Sequence, residues 1–406
     1  MSLERFPFLL FSQLRTLKHL KGRSRWLELF IWMAAFAVME SAVSRPAEAA
    51  LELRVAVENG VSQVAIGSST KGIVRGSNGQ PLGEIAPMNA FIAQPKQGSV
   101  SLDRWQSSQL WVEPTEGGYV YIGDRWYRGR TLVVPGKSGL IAVNYVDLEQ
   151  YLYSVLGGEM NGNWPQEALK AQAVAARSYA LYHRQRATNG IYDVVDTTAS
   201  QVYRGIRDES TGTQTAVNAT AEQVLVSSGQ IIEAAFHSSA GGCTENSEDV
   251  WSSPVPYLRS VKENFPEVSP VAQWGEEFSR TALSKRIPGV GNIISFQAVE
   301  TTACGRIKSM RVVGDKGQKI VSGEALQTAL NLRSTLFSIV PQPVLEASKE
   351  KAQAAPTTFQ VSGRGFGHGL GLSQWGAYNL AQRGTNYQQI LLQYYQNTTL
   401  AKIQVK

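Results

Sequence analysis

The sequence predicts an α+β protein: a β-rich N-terminal module followed by a mixed α/β domain. Three observations predict it. Residues 51–143 are built of short alternating runs separated by Gly, Asn and Pro clusters. Two consecutive segments with helical spacing follow. Beyond residue 215, strand-like and helix-like stretches alternate to the C-terminus.

The chain has 406 residues, of which 43% are hydrophobic and 18% charged, enough to bury a core in two or three domains. Its first 49 residues stand apart. Lys18, Lys21, Arg23 and Arg25 precede an apolar run from Trp26 to Met39, interrupted by Glu28, and Ala47-Glu48-Ala49 ends the segment. That order predicts a secretory signal peptide over 1–49. The run is short for a membrane span. Left uncleaved, it would be an anchor and the chain's one membrane contact. Either way the protein is expected to be exported, to the periplasm or cell wall. The segment carries seven Lys/Arg and four Asp/Glu, so the net charge of +6 falls to +3 without it. That mild excess suits an anionic wall and gives no nucleic-acid signature. Cys243 and Cys304 are the only cysteines. They can pair in an oxidising compartment, and they exclude a four-cysteine zinc site.

Within the β-rich module, residues 50–143, the runs LELRVAV, VSQVAIG, GGYVYIG and TLVVPG read as strands, with a turn at Gly76-Ser77-Asn78-Gly79. Residues 144–406 form the second domain. Asp147 caps a helix whose stripe is Leu148, Leu152, Val155 and Leu156, with Gly157-Gly158 as its stop. Pro165 opens a second helix, a favoured place for proline, in which Leu169, Ala173, Ala176 and Ala180 share a face. Further on come a helix and strand over 215–240, a helix near 278–286, the strands ISFQAVET and IKSMRVVG, and the helix SGEALQTAL. Residues 346–356 are polar and read as an exposed linker or loop. A Gly-rich loop then opens a helix, and another helix spans 387–396.

Three stretches offer chemistry. Glu159 follows two glycines in a short interhelical loop, which reads either as a rim carboxylate or as an ordinary exposed one. Trp164 and Met160 could give it an apolar wall, and such a wall raises a carboxyl pKa toward what a general acid needs. Lys170 and Arg177 lie seven apart on one face of the next helix, with Gln172 and Tyr179 on neighbouring stripes. Alone they read as a solvated face, and as site residues if that face looks onto Glu159. In the Gly-rich loop, His368, Ser373 and Gln374 are polar groups where the chain can line a cleft or make a turn. The loop's G-x-G-x-x-G-like string lacks a βαβ context for a nucleotide. His237 and Cys243, six apart, could begin a zinc site, a nucleophilic pair or a turn.

Together these segments resemble the SpoIID/LytB family of sporulation and cell-wall proteins. The resemblance rests on Val146-Asp-Leu-Glu-Gln-Tyr-Leu-Tyr-Ser-Val-Leu-Gly-Gly-Glu159-Met with Trp-Pro-Gln-Glu-Ala-Leu-Lys170 through Arg177-Ser-Tyr, on Phe236-His-Ser-Ser-Ala-Gly-Gly-Cys243 through Trp251, and on Gly363-Arg-Gly-Phe-Gly-His-Gly-Leu-Gly-Leu-Ser-Gln-Trp-Gly-Ala377. It spans about residues 140 to 400. It implies a SpoIID-like catalytic domain and a lytic transglycosylase that cuts peptidoglycan glycan strands stripped of stem peptides. Glu159 is the implied acid/base, and Lys170 and Arg177 are implied to matter as well. Trp164, Gln172, Tyr179, His368, Ser373 and Gln374 are the expected substrate-binding residues. One carboxyl group suffices if the muramoyl C6 hydroxyl closes on C1, whereas hydrolysis usually needs two. No cofactor is expected. Some family members hold zinc through His and Cys. Here only His237 and Cys243 match, with Glu248 and Asp249 where other ligands are expected. The family also implies an alternative: a non-catalytic wall binder that stimulates an N-acetylmuramoyl-L-alanine amidase.

Overall fold

Alternating apolar residues in the first hundred described positions build most of two largely antiparallel sheets. The computed structural model describes residues 51–403, apart from 189, 252, 265–267 and 343–356. The expected signal at 1–49 and the expected linker at 346–356 therefore lie outside the described residues. One sheet has seven strands and the other six. In the seven-stranded sheet, Glu52–Val61 pairs with Leu140–Asp147, which pairs with Arg130–Pro135. The six-stranded sheet is centred on Val64–Ser68 and Asn89–Lys96. Ile66, Val112 and Val133 are buried in one cluster with residues of both sheets, each such side chain worth about 1.5–3 kcal/mol.

The α+β class is observed, with the β-rich part first. The expected end of that part is residue 143. That position falls inside the strand Leu140–Asp147, and Val194–Val195, from beyond the helices, pairs in parallel with Glu52–Val61. The cluster that holds Leu53 and Val112 also holds Leu152, Val174, Ala216 and Tyr395. Sheets and helices thus share one core.

Asp147 caps the first helix, Leu148–Glu159, its Oδ1 accepting from Gln150 N at 3.0 Å. The helix Gln166–Arg186 is the central rod. Twelve of its residues are buried, on every side. Its alanines let neighbours approach closely, and it touches the helices Leu148–Glu159, Thr211–Ala219, Gln374–Gln382 and Tyr387–Tyr394.

Between the second and third sequence motifs lies a smaller unit with its own core, including Leu283, Val312, Leu326 and Phe359. Its described residues form two three-stranded sheets, and two helices capped by the Ser279 and Ser322 side chains. Cys243 and Cys304 form a disulfide that ties the unit to the second motif, with Cα atoms 6.1 Å apart. No described helix is long and apolar enough to cross a membrane.

Candidate active site

Glu159 is the last residue of its helix, which runs on through the glycine pair expected to stop it. The glycines instead admit a neighbouring segment: a Cβ on Gly157 would fall 1.7 Å from the Asp208 carbonyl oxygen, and one on Gly158 2.9 Å from that of Val202. With no side chains in the way, residues 202–208 lie directly on the helix end. Val202 N–H then donates to Glu159 Oε1 at 3.1 Å.

The second carboxylate oxygen accepts from Gln374 Nε2 at 3.2 Å. Gln374 is placed by a helix start. Ser373 caps Gln374–Gln382, its Oγ accepting from Gly376 N and from Ala240 N. Phe236–His237 pairs in parallel with Leu372–Ser373. Three motifs distant in sequence thus line one cavity with Glu159. Burial pushes the Glu159 carboxyl up. Val202 N–H, the Gln374 amide and the Arg204 charge pull it down, without cancelling the rise.

Glu159 and Gln374 line a cavity of about 500 Å³, together with Tyr179, Phe236, Trp251 and Phe366. This wall replaces the one expected from Trp164 and Met160. Trp164 packs instead on Trp375 and Tyr378, ring centroids 4.5 and 5.0 Å away, and Met160 is buried in the core. Tyr179 is pushed up to about 12 by burial and by the Glu233 and Glu159 carboxylates, so it keeps its hydroxyl proton at neutral pH. Its ring lies 4.2 Å from that of His183, whose Nε2 sits 3.3 Å from Glu233.

His237 and His368 also line the cavity, their rings 5.3 Å apart. His368 Nδ1 accepts from Leu370 N at 2.9 Å, so Nε2 carries the proton and donates to Phe236 O. Burial and the Arg306 charge bring His368 down to about 4. Burial, then His368 and Arg306, holds His237 well below its usual range. Both rings are neutral, and both are fixed by backbone partners.

Zinc does not fit here. His237 Nε2 has no partner among the described residues, but Cys243 Sγ is bonded to Cys304. No three His, Cys, Asp or Glu side chains among the described residues are grouped to hold a metal.

Lys170, Arg177, Gln172 and Trp164 do not line the cavity. Arg177 is fully buried and grips Glu149 with two bonds, 2.8 and 2.5 Å, while donating to Gln223 O. Lys170 pairs with Glu167 at 2.8 Å, and Glu167 accepts from Tyr387 N. That contact fastens the C-terminal helix Tyr387–Tyr394 to the rod. Gln172 is buried within it. Ser373 acts as a cap, so of the expected substrate binders Tyr179, His368 and Gln374 face the cavity.

Sequence reasoning missed Val202, Arg204, Glu233 and Arg306. Arg306 has a structural role that no local pattern announces. Its buried guanidinium donates to Gly367 O at 3.0 Å and Ala240 O at 3.3 Å, and faces buried Glu245 at 3.7 Å. Burial lowers it to about 10, still charged at neutral pH. It thereby pins the Gly-rich loop to the second motif. Size alone does not select the site. A larger trough of about 660 Å³, bordered by Gln273, Ser362 and Arg364, has no carboxylate among the described residues that line it.

The fold and site together define a cleft protein with one buried carboxyl group, raised by that burial, beside a cavity lined by three motifs. Residues 136–226 match the family described as stage II sporulation protein, SpoIID, and residues 269–371, the smaller unit, match a domain of unknown function, DUF8618. An uncharacterized protein of Brachyspira hyodysenteriae is 33% identical over 285 residues, covering 70% of this chain and 74% of that one. Stage II sporulation protein D of Bacillus subtilis is 30% identical over 278 residues, covering 64% of this chain and 76% of that one. The amidase enhancer of the same organism is 32% identical over 293 residues, covering 61% of this chain and 40% of that one. The chain belongs to the SpoIID/LytB family.

Proposed function

We propose that this protein is an exported lytic transglycosylase that cleaves peptidoglycan glycan strands, with Glu159 as its acid/base. The observation that carries the reading is the Glu159 carboxyl: buried in a cleft, raised by that burial, and held by two donors. Protonated Glu159 donates to the glycosidic oxygen between N-acetylmuramic acid and N-acetylglucosamine. The resulting carboxylate is stabilised by Val202 N–H and the Gln374 amide. It then takes the proton of the muramoyl C6 hydroxyl as that oxygen bonds to C1, giving a 1,6-anhydro end. No water enters, and Glu159 finishes protonated. Tyr179 remains a neutral hydroxyl able to hydrogen-bond the sugar.

The Cys243–Cys304 disulfide supports export, since disulfides persist in oxidising compartments. The test is digestion of purified peptidoglycan, with and without prior amidase treatment, and mass spectrometry of the products. Anhydro-muramoyl ends from amidase-treated wall, lost in Glu159→Gln, support the reading.

A second reading has its own support, the likeness to the amidase enhancer. There the cleft binds wall without cutting it and the partner is an N-acetylmuramoyl-L-alanine amidase. Absence of glycan cleavage by wild type, with faster amidase turnover on its addition, would favour it.

A further inference from the structure

The Glu159 cleft does not end at its own walls. Trp251 and His368 border it, and both also border a second basin of about 380 Å³. Beyond Trp251 that basin is formed by the smaller unit, through Lys308, Ser322, Gln327 and Thr335. Its charges are largely matched. Lys308 lies 2.8 Å from Glu300 and 3.7 Å from Asp249, and Glu248 is gripped by Arg259. Glu324, in the first turn of the helix Gly323–Leu330, is its other carboxylate. Such a surface accepts hydroxyls and acetamides and disfavours a free carboxylate.

Trp251 is the half-buried ring at the junction. The short helix Ser247–Val250 holds it, with Trp251 N–H donating to Ser247 O, and its ring lies 6.4 Å from that of His368. An aromatic face between two basins that both carry polar side chains is suited to the apolar C–H face of a pyranose ring, with hydroxyls satisfied on either side.

We infer that Trp251 is a sugar-stacking platform over which a glycan strand passes from the Glu159 cleft into the second basin, so that the protein selects strands longer than a disaccharide. The inference rests on the glycan-cleaving reading and adds a binding residue and a length requirement. The carrying observation is that one tryptophan walls two cavities, the second supplied by the smaller unit.

Calorimetric titration of the Glu159→Gln protein, which holds substrate without consuming it, tests this. The probes are peptide-free peptidoglycan disaccharide, tetrasaccharide and octasaccharide. Affinity should rise about tenfold from the shortest to the longest, as expected for one well-placed aromatic contact. Adding Trp251→Ala should abolish the gain, and Trp251→Phe should keep most of it. Gln327→Trp, which fills the basin and leaves the platform in place, should remove the gain without changing disaccharide affinity. Equal affinity at all lengths, or a gain that survives either Trp251→Ala or Gln327→Trp, overturns the inference and leaves the glycan reading standing. Binding of none of the three by folded protein overturns both.

Discussion

At Glu159 burial outweighs hydrogen bonding, and the sign of that balance yields tests. A group whose folded pKa is raised adds stability below its unfolded value, about 4.3, and loses it as pH rises through the folded value. Glu159→Gln removes the ionised form. The variant should therefore withstand more denaturant than wild type at neutral pH, with the difference vanishing below about pH 4. The same variant should lose about a hundred- to ten-thousandfold in glycan cleavage, the usual worth of a general acid/base. Gln374 acts in the opposite sense to burial, since its amide favours the carboxylate. Gln374→Leu should raise the Glu159 pKa further and move the alkaline limb of the pH–rate profile to higher pH. A limb that stays in place would show that another group titrates there.

Among elements, the rod Gln166–Arg186 separates structural from chemical charges. Its sequence shows Lys170 and Arg177 on one face but not what that face meets. The answer depends on Glu149, Glu167 and Tyr387, up to 220 positions away in sequence. Arg177→Leu leaves Glu149 without its partner and should cost about 3–5 kcal/mol in chemical denaturation, as for breaking a buried ion pair. The kcat of the fraction that remains folded should hold. Loss of kcat at full stability would restore Arg177 to the site. The strand alternation and the Asp147 cap are readable from sequence because each is local. The glycine pair misleads because Gly157 and Gly158 serve a contact with Asp208 and Val202, which chain order conceals.

On the scale of the whole molecule, the smaller unit is joined to the body by the Cys243–Cys304 bond and by Arg306 facing Glu245. The cysteines are 61 residues apart, and closing such a loop is worth about 4 kcal/mol in the chain-entropy account. Cys243→Ser with Cys304→Ser should lower unfolding stability by up to about that amount, measured against wild type without reductant. The family motifs single out Glu159 from the sequence alone. They do not reveal Glu233, because its place in the cleft follows from the Tyr179–His183 stack and from no pattern in its own segment. Its presence sharpens the central question, whether one carboxyl group acts twice or a second one activates water.

Digestion of amidase-treated peptidoglycan in heavy-oxygen water answers that question. If Glu159 closes the C6 oxygen onto C1, wild type releases anhydro ends without heavy oxygen and Glu159→Gln releases none. Labelled reducing ends from wild type, or cleavage undiminished in Glu159→Gln, would contradict the account.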